Sequence, residues 1–308
     1  MWRNERILAL WRRITPFTTF AVLCVILLAI GRYVAAKWPL IKEQQWQVDW
    51  IWLLMSALAF LIFFAIVASA WQKIIVWNGT PISWFDGLWA WSRSSLARYL
   101  PTPIWLTASR LYLTTRLGVS WQVAVLSYGA ELTGALAAAF GVASLALPLL
   151  VDISWMFSFV LALAIVLFVL PLVYSLVKRI LESINLPLKC GLPSIMGWSC
   201  LYACAFLVYG LAHVLILDAM STKVPPVNLV IGVSAFAWAI GTLNIFTPSG
   251  LGTRELVLIH GLQQCIAPPE LLGLIILSRL ATMFSELMLF ALVYLVISHR
   301  QGIVVSGH

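Results

Sequence analysis

The stretch FTPSGLGTRE, residues Phe246–Glu255, interrupts an apolar part of the chain. A helix cannot continue through it, because it contains Pro248, Gly250 and Gly252. The break leaves backbone N–H and C=O groups that hydrocarbon cannot satisfy, so at membrane depth it must be buried in protein or line a cavity. The arginine and the glutamate that close the stretch are charges of the kind that usually mark a pathway or a site inside a membrane. The stretch therefore predicts a broken helix with a functional site beside it.

The composition places the whole chain in the membrane. Of its 308 residues, 62% are hydrophobic and only 10% are charged, and the mean hydropathy is +0.99. This is too little polar surface to coat a soluble protein of that size. The net charge of +8 does not indicate nucleic acid as a partner, because the Lys and Arg residues fall mostly in short loops, where they set topology. The sequence predicts an all-α polytopic integral membrane protein, with residues 1–308 forming a single transmembrane domain.

Six apolar segments are long enough to cross a bilayer, at about 20 residues each. They are Pro16–Ala36, Asp49–Trp71, Val119–Leu147, Ser154–Val177, Gly197–Leu217 and Glu270–Ser298. Two further regions, Ile82–Leu117 and Asn228–Ile266, are each split near the middle by Pro and small residues. We expect each split region to be a re-entrant hairpin or a pair of spans.

Loop charges predict the topology. The loop with Lys178, Arg179 and Lys189 is the most basic, whereas the loop around Asp152 has no cation. Because basic loops face the cytoplasm, we expect both termini to be cytoplasmic in a multi-pass protein of the cytoplasmic (inner) membrane.

The two split regions share one order of features. Each has a Pro break, at Pro101 or Pro248, then an arginine shortly after the break, and then a long span carrying a glutamate. By loop charge the first region enters from the cytoplasm and the second from outside. The halves, about residues 14–148 and 152–299, are therefore predicted to be inverted repeats, the plan of many transporters with a site at the midplane. A chance match between the halves is the alternative.

Two further patterns describe how helices are placed. Glu131 shares a small-residue face with Gly134, Ala138 and Gly141, which allows a neighbouring helix to approach closely. Many tryptophans fall at predicted span ends and are interpreted as an interfacial aromatic belt. These tryptophans are Trp11, Trp38, Trp46, Trp50, Trp71, Trp77, Trp155 and Trp198.

A set of charged residues forms the predicted substrate-binding site: Arg110, Glu131, Arg254, Glu255, Arg279 and Glu286. A charge at the bilayer centre costs about 2.5–3.5 kcal/mol on insertion scales, so we expect these residues to be paired. One interpretation is that the pairs only hold helices together. The other is an anionic lipid headgroup site, since Arg binds phosphate bidentately and half-helix N-termini after the breaks would add positive dipole ends. The predicted hinge or re-entrant positions are Pro101, Pro248, Gly250 and Gly252.

The residues around both breaks carry a family resemblance. The segments RYLP (Arg98–Pro101) and RLYL (Arg110–Leu113), and then TPSGLGTRE (Thr247–Glu255), resemble the lysylphosphatidylglycerol synthase transmembrane-region (flippase-like) family. That family includes the flippase half of the bacterial multiple peptide resistance factor. The resemblance covers most of the chain from about residue 93 and implies a protein that moves or presents a lipid. Thr102 and Ser249 stand where the family commonly has Gly, and lysyl transfer is not expected because no soluble transferase domain follows the last span.

These observations predict a lipid flippase or transporter-like protein that binds an anionic phospholipid or polyprenyl phosphate headgroup between the repeats. No catalytic residue, metal or cofactor is predicted, no enzymatic activity is expected, and ATP hydrolysis is not expected because the chain has no phosphate-binding loop motif. The alternatives are an intramembrane lipid or glycan transferase and a non-catalytic membrane subunit of a lipid or polysaccharide pathway. A homo-oligomer or a partner lipid-synthesis enzyme is left open.

Overall fold

The computed structural model describes residues 48–100, 104–150, 192–220, 224–244 and 252–306, with a few isolated positions besides. The helices in these ranges are α1 Trp50–Trp77, α2 Trp84–Ser95, α3 Ile104–Arg116, α4 Trp121–Ala143, α5 Leu147–Leu150, α6 Leu192–Ala219, α7 Val227–Leu243, α8 Thr253–Leu262 and α9 Pro268–Ser306. Short 3₁₀ turns, Leu96–Tyr99 and Ser144–Ala146, extend α2 and α4.

Four helices in the described ranges are long and apolar enough to cross a membrane: Trp50–Trp77, Trp121–Ala146, Gly197–Ala219 and Pro268–Ser298. They match four of the predicted spans, and the predicted all-α polytopic membrane architecture is confirmed. The predicted span Pro16–Ala36, nearly all of Ser154–Val177, and the hinge residues Pro101 and Pro248 lie outside the described residues.

Each predicted split region consists of two short helices, α2 with α3 and α7 with α8. These helices have 12, 13, 17 and 10 residues. A helix needs about 20 residues to cross the hydrocarbon core, with about 17 as the lower limit. Helices α2, α3 and α8 are shorter than this limit, and α7 is at it.

Three helices begin where the sequence supplies an N-cap. The Asp49 carboxylate accepts from the backbone N–H of Ile51 at 2.9 Å at the start of α1. Ser83 accepts from Asp86 N–H at 3.1 Å at the start of α2, and Ser120 caps α4 in the same way. Such caps satisfy backbone donors that a helix leaves unpaired in its first turn.

Helices α1 and α6 form the centre of the fold and run antiparallel. The N–H of Asp49 donates to Ala219 O at 2.8 Å, and the Ser56 hydroxyl donates to Ala212 O at 2.8 Å. Residue numbers that increase along α1 therefore pair with residue numbers that decrease along α6.

The last long helix of each half packs on the other half. Helix α4 contacts α6 and α7, and α9 contacts α1 and α2. A side chain at Gly134 would overlap the Trp198 ring on α6, which confirms the predicted close approach at the small-residue face. On the other side, the Ser285 hydroxyl of α9 donates to Ala57 O of α1 at 2.7 Å. The two halves are therefore interleaved.

The belt interpretation of the tryptophans is wrong for two of them. Trp71 and Trp198 are 0% and 1% exposed and belong to the core. Trp198 fills the space left by Gly134, and Trp71 packs against a buried guanidinium, so both are held by protein contacts. Trp50 is 70% exposed at the first turn of α1, which fits an interfacial position.

Candidate functional site

The first-half arginine, Arg110, is enclosed by polar partners. It is 2% exposed, and its Nη1 donates to Glu131 Oε2 at 2.7 Å. Its Nη2 donates to the Ser95 hydroxyl at 3.2 Å, and its Nε donates to the Ser94 hydroxyl. Every nitrogen of this guanidinium therefore has a partner within the protein.

Two aromatic rings flank the same guanidinium. Its central carbon lies 4.9 Å from the Trp71 ring centroid and 5.0 Å from that of Trp91, within the range of cation–π contact. The Trp91 indole N–H also donates to Glu131 Oε1 at 2.6 Å, so both carboxylate oxygens of Glu131 are used. Arg110 and Glu131 thus fasten α3 to α4 in a closed, neutral cluster.

The residues just before the first break are tied to α9. Arg98 Nη1 lies 2.8 Å from Glu286 Oε1, and the Tyr99 hydroxyl donates to Glu286 Oε2 at 2.5 Å. Glu286 is 3% exposed, so this ion pair is inside the protein. The end of α2 is therefore anchored near the middle of the α9 span.

The second break is anchored to the same helix. Gly250 and Gly252 have φ of 66° and 86°, a backbone conformation that favours glycine. A Cβ at Gly250 would lie 2.5 Å from Gly241 O, so the break also lies directly on α7. Arg279 of α9 donates through Nη2 to Gly250 O at 3.3 Å and through Nε to Glu255 Oε1 at 2.7 Å.

The second-half arginine, Arg254, has a different environment from Arg110. Its guanidinium lies 5.8 Å from the Trp238 ring centroid and within hydrogen-bonding range of the Tyr209 hydroxyl. Its Nε is buried without a hydrogen-bond partner, and no carboxylate in the described part of the chain forms an ion pair with it. Among the described residues, Arg254 therefore keeps an unsatisfied donor and a charge without an ion-pair partner.

A small polar cavity adjoins Arg254. Its polar lining is contributed by Tyr209, His213, Arg254, Glu255, Ser278, Arg279 and Thr282. Its volume is about 20 Å³, which is room for one water molecule. This conformation is therefore closed to any larger ligand.

Residues at similar distances from the two breaks differ in charge. Trp91 and Trp238 each lie ten residues before the Pro of their own break, and they contact Arg110 and Arg254, the first arginine after each Pro. Glu131 lies thirty residues after its Pro, and Arg279 lies thirty-one after its own. At a similar distance after the Pro, the first half has the carboxylate that neutralises Arg110, and the second half has the cation Arg279.

The central cluster consequently carries one excess positive charge. It contains three arginines, of which Arg254 interacts electrostatically with both Arg98 and Arg279. Against them stand two carboxylates, Glu255 and Glu286. A buried charge without a counter-ion is unfavourable unless an anion can reach it.

The sequence also matches a family model along most of its length. The model of the lysylphosphatidylglycerol synthase TM region matches residues 19–289. The chain belongs to this family. No curated protein matches the chain. As a member of the lysylphosphatidylglycerol synthase transmembrane-region family, the protein is a multi-pass membrane protein of a lipid-related kind, which confirms the resemblance drawn from the residues around both breaks.

The structure places the predicted site residues of this family member in two groups. Arg110 and Glu131 form the closed pair, whereas Arg254, Glu255, Arg279 and Glu286 lie in the central cluster around α9. The predicted pairing of intramembrane charges is confirmed for five of the six residues and is wrong for Arg254. Arg279 and Glu286 bind residues of different breaks and not each other.

Several residues of the cluster were absent from the predicted site: Arg98, Tyr99, Tyr209, His213 and Trp238. The repeated spacing of a tryptophan ten residues before each Pro could have indicated one of them. Nothing in the sequence indicates Tyr209, because α6 reaches the site only through packing.

Proposed function

We propose that this protein binds the anionic headgroup of a membrane lipid at Arg254 and moves the lipid between leaflets. The observation that supports the proposal best is the absence of a carboxylate partner for Arg254 in the described residues, although its Nε is buried. A phosphate group would supply both the missing acceptor and the missing negative charge.

The position of Arg254 on its helix adds to this preference for an anion. It lies in the first turn of α8, which runs from Thr253 to Leu262. Helix N-termini carry unpaired N–H groups and a partial positive charge. Arg279, on the neighbouring wall of the cavity, would be a second cationic group near a bound phosphate.

Transport requires the closed cavity to open, and the interleaved halves suggest how. Each half has the same order of helices: a long helix (α1 or α6), the two short helices of a split region, and a second long helix (α4 or α9). The first helices of the two halves, α1 and α6, run antiparallel. This supports an inverted-repeat relationship between the halves. Because Arg279 and Glu286 hold the two breaks to one face of α9, a displacement of α9 would loosen both breaks together.

An apolar cavity on the other face of α8 offers room for an acyl chain of the same lipid. Its volume is about 590 Å³, and its lining includes Phe140, Phe236, Val257 and Leu256. Helix α8 therefore borders a cationic cavity on one side and an apolar cavity on the other, which suits an amphipathic ligand.

In this role the protein is a transporter without catalytic activity, located in the cytoplasmic membrane with both termini inside. Glu131, Glu255 and Glu286 each form an ion pair with an arginine, which makes them poor candidates for general bases. The lipid would move down its own concentration gradient, or its movement would be coupled to that of protons. The lipid is an anionic phospholipid or a polyprenyl phosphate.

The test is lipid scrambling in reconstituted liposomes. Purified protein is placed in vesicles containing fluorescent phosphatidylglycerol, and the fraction of label open to an external quencher is followed over time. Arg254→Gln removes the charge and should slow transfer by about tenfold or more, since a charge-assisted hydrogen bond contributes about 1.5–3 kcal/mol. Arg254→Lys should retain part of the rate, because it keeps the charge but not the planar fork.

The matched control is Arg116→Gln, which removes the same charge at an exposed position in the last turn of α3. It should scramble like the wild type. Equal rates for wild type and Arg254→Gln would overturn the assignment of Arg254.

A further inference from the structure

The lining of the Arg254 cavity includes a histidine with one unused ring nitrogen. His213 of α6 is 2% exposed, and its Nδ1 lies 2.9 Å from Tyr209 O. A carbonyl oxygen only accepts hydrogen bonds, so Nδ1 carries the proton, and in a neutral ring Nε2 is then an acceptor. This Nε2 has no hydrogen-bond partner within the described part of the chain. His213 therefore brings a free acceptor to the cavity wall.

The surroundings of the His213 ring determine both its charge and its orientation. Arg254 and Arg279 interact electrostatically with the ring, and they would repel a positively charged one. The neutral form therefore suits the site. The ring packs edge-on against Phe60, at 5.3 Å between centroids, and tilted against Tyr209, at 4.8 Å. Because its hydrogen bond and both aromatic contacts hold the ring in place, Nε2 is a preorganised acceptor.

Three other polar side chains of the lining also present acceptors. Glu255 Oε2 is buried without a hydrogen-bond partner, whereas Glu255 Oε1 accepts from Arg279. The Ser278 hydroxyl donates to Ile275 O, and the Thr282 hydroxyl donates to Ser278 O. The hydrogens of both hydroxyls are thus used, and their lone pairs remain. The cavity therefore combines a cationic donor with an excess of acceptors.

An ionised phosphate group matches only part of this set. Its oxygens are all acceptors, so it would pair with Arg254 but would leave His213 Nε2 without a donor and would be repelled by Glu255. A hydroxyl group beside the phosphate supplies the missing donor. The cavity volume of about 20 Å³ is room for one water molecule, and equally for one hydroxyl group.

We infer that His213 is a specificity-determining residue that accepts a hydrogen bond from a hydroxyl group of the lipid headgroup while Arg254 binds the phosphate. The preferred ligand is then a phosphodiester lipid with a polyol headgroup. Of the two lipid classes proposed, this favours a phospholipid, because an ionised polyprenyl phosphate has no hydroxyl. The inference rests on the proposed function and deepens it, since it names the headgroup chemistry that the same site selects.

The experiment is a competition between two lipids of equal charge. Phosphatidylglycerol and phosphatidylethanol with the same acyl chains each carry one phosphodiester charge, but only the first has headgroup hydroxyls. The wild type is purified in detergent with an equimolar mixture, and native mass spectrometry gives the ratio of the two lipids retained. We expect several-fold more phosphatidylglycerol, up to about tenfold, which is the effect of one hydrogen bond.

Three variants test whether this preference comes from His213. His213→Phe keeps an aromatic ring beside Phe60 and Tyr209 but removes the acceptor, so the ratio should fall to near one. His213→Gln restores an acceptor and should recover part of the preference. The matched control is His260→Phe, which removes an exposed histidine whose Nδ1 also binds a carbonyl of its own helix. Because His260 lines the apolar cavity and both lipids have the same acyl chains, this control should keep the wild-type ratio. A melting temperature equal to that of the wild type shows that each variant is folded.

The outcomes separate this inference from the proposed function. If the wild type retains both lipids equally and Arg254→Gln loses both, the role of His213 is wrong and the proposed function stands. If His213→Phe loses both lipids but keeps the wild-type ratio, the ring only packs α6 and selects nothing. If Arg254→Gln retains lipid like the wild type while His213→Phe abolishes the preference, the assignment of Arg254 fails and that of His213 stands.

A soluble competitor distinguishes a lipid from a free polyol phosphate. Glycerophosphoglycerol has the same phosphodiester and hydroxyl groups as phosphatidylglycerol but no acyl chains. At the same concentration it should not displace the lipid, and displacement would overturn the assignment to a lipid.

Discussion

The side chain of Arg254 lies in space that Gly241 leaves open. A Cβ at Gly241 would be 2.7 Å from Arg254 Nε, closer than two such atoms can approach. The guanidinium can point toward Tyr209 and the cavity only because residue 241 on α7 is a glycine.

Gly241→Ala should displace Arg254 and weaken binding of anionic lipid several-fold. Helix α7 itself should tolerate the change, because Ala favours a helix over Gly by about 1 kcal/mol. Native mass spectrometry of retained phosphatidylglycerol measures the effect. Gly129→Ala is the matched control, since nothing lies within 4 Å of a Cβ built there. Equal losses in both variants would show that Gly241 does not position Arg254.

Glu255→Gln should strengthen lipid binding and slow transfer. The change removes one negative charge from the central cluster while keeping an amide oxygen that can accept from Arg279. A more positive cluster holds an anion more tightly, and tighter binding in one state delays release. The two readouts are the apparent affinity for phosphatidylglycerol and the scrambling rate in liposomes. A lower affinity than that of the wild type would contradict the charge argument.

Arg110→Met should destabilise the protein by about 3–5 kcal/mol, because it leaves the buried Glu131 carboxylate without its partner. The double variant Arg110→Met with Glu131→Leu should recover much of that loss, since both charges are then gone. Thermal unfolding in detergent gives the comparison. If Arg110→Met melts like the wild type, the pair does not fasten α3 to α4.

The sequence predicts the architecture better than it predicts the site. Hydropathy locates the long helices, because a span must be apolar along about 20 residues whatever it packs against. The breaks are also predictable, because Pro and Gly interrupt helices locally. The close helix contact at Gly134 was also predictable, because small side chains on one helix face allow a neighbouring helix to approach.

Long-range partners could not be predicted in the same way. Arg110 and Arg254 look equivalent in sequence, yet one is neutralised by Glu131 and the other forms no ion pair with a carboxylate among the described residues. The difference comes from Arg279, which stands opposite Arg254 only because α9 folds against α8. Likewise, the position of Trp71 at the end of a predicted span suggests an interfacial residue. Its burial in the structure depends on the position of Arg110, which the span pattern does not predict.

Gly250→Ala should impair the protein more than Gly252→Ala or Gly118→Ala. All three glycines have positive φ, at 66°, 86° and 82°, so each substitution carries a backbone cost of its own. Only at Gly250 would the new Cβ also meet backbone, 2.5 Å from Gly241 O, whereas nothing lies within 4 Å at the other two. Overlap with backbone cannot be relieved by turning a side chain, so the second break must move away from α7 and take Arg279 and Arg254 with it. Melting temperature and lipid retention should both fall furthest for Gly250→Ala, and equal behaviour of the three variants would show that the break does not need its close contact with α7.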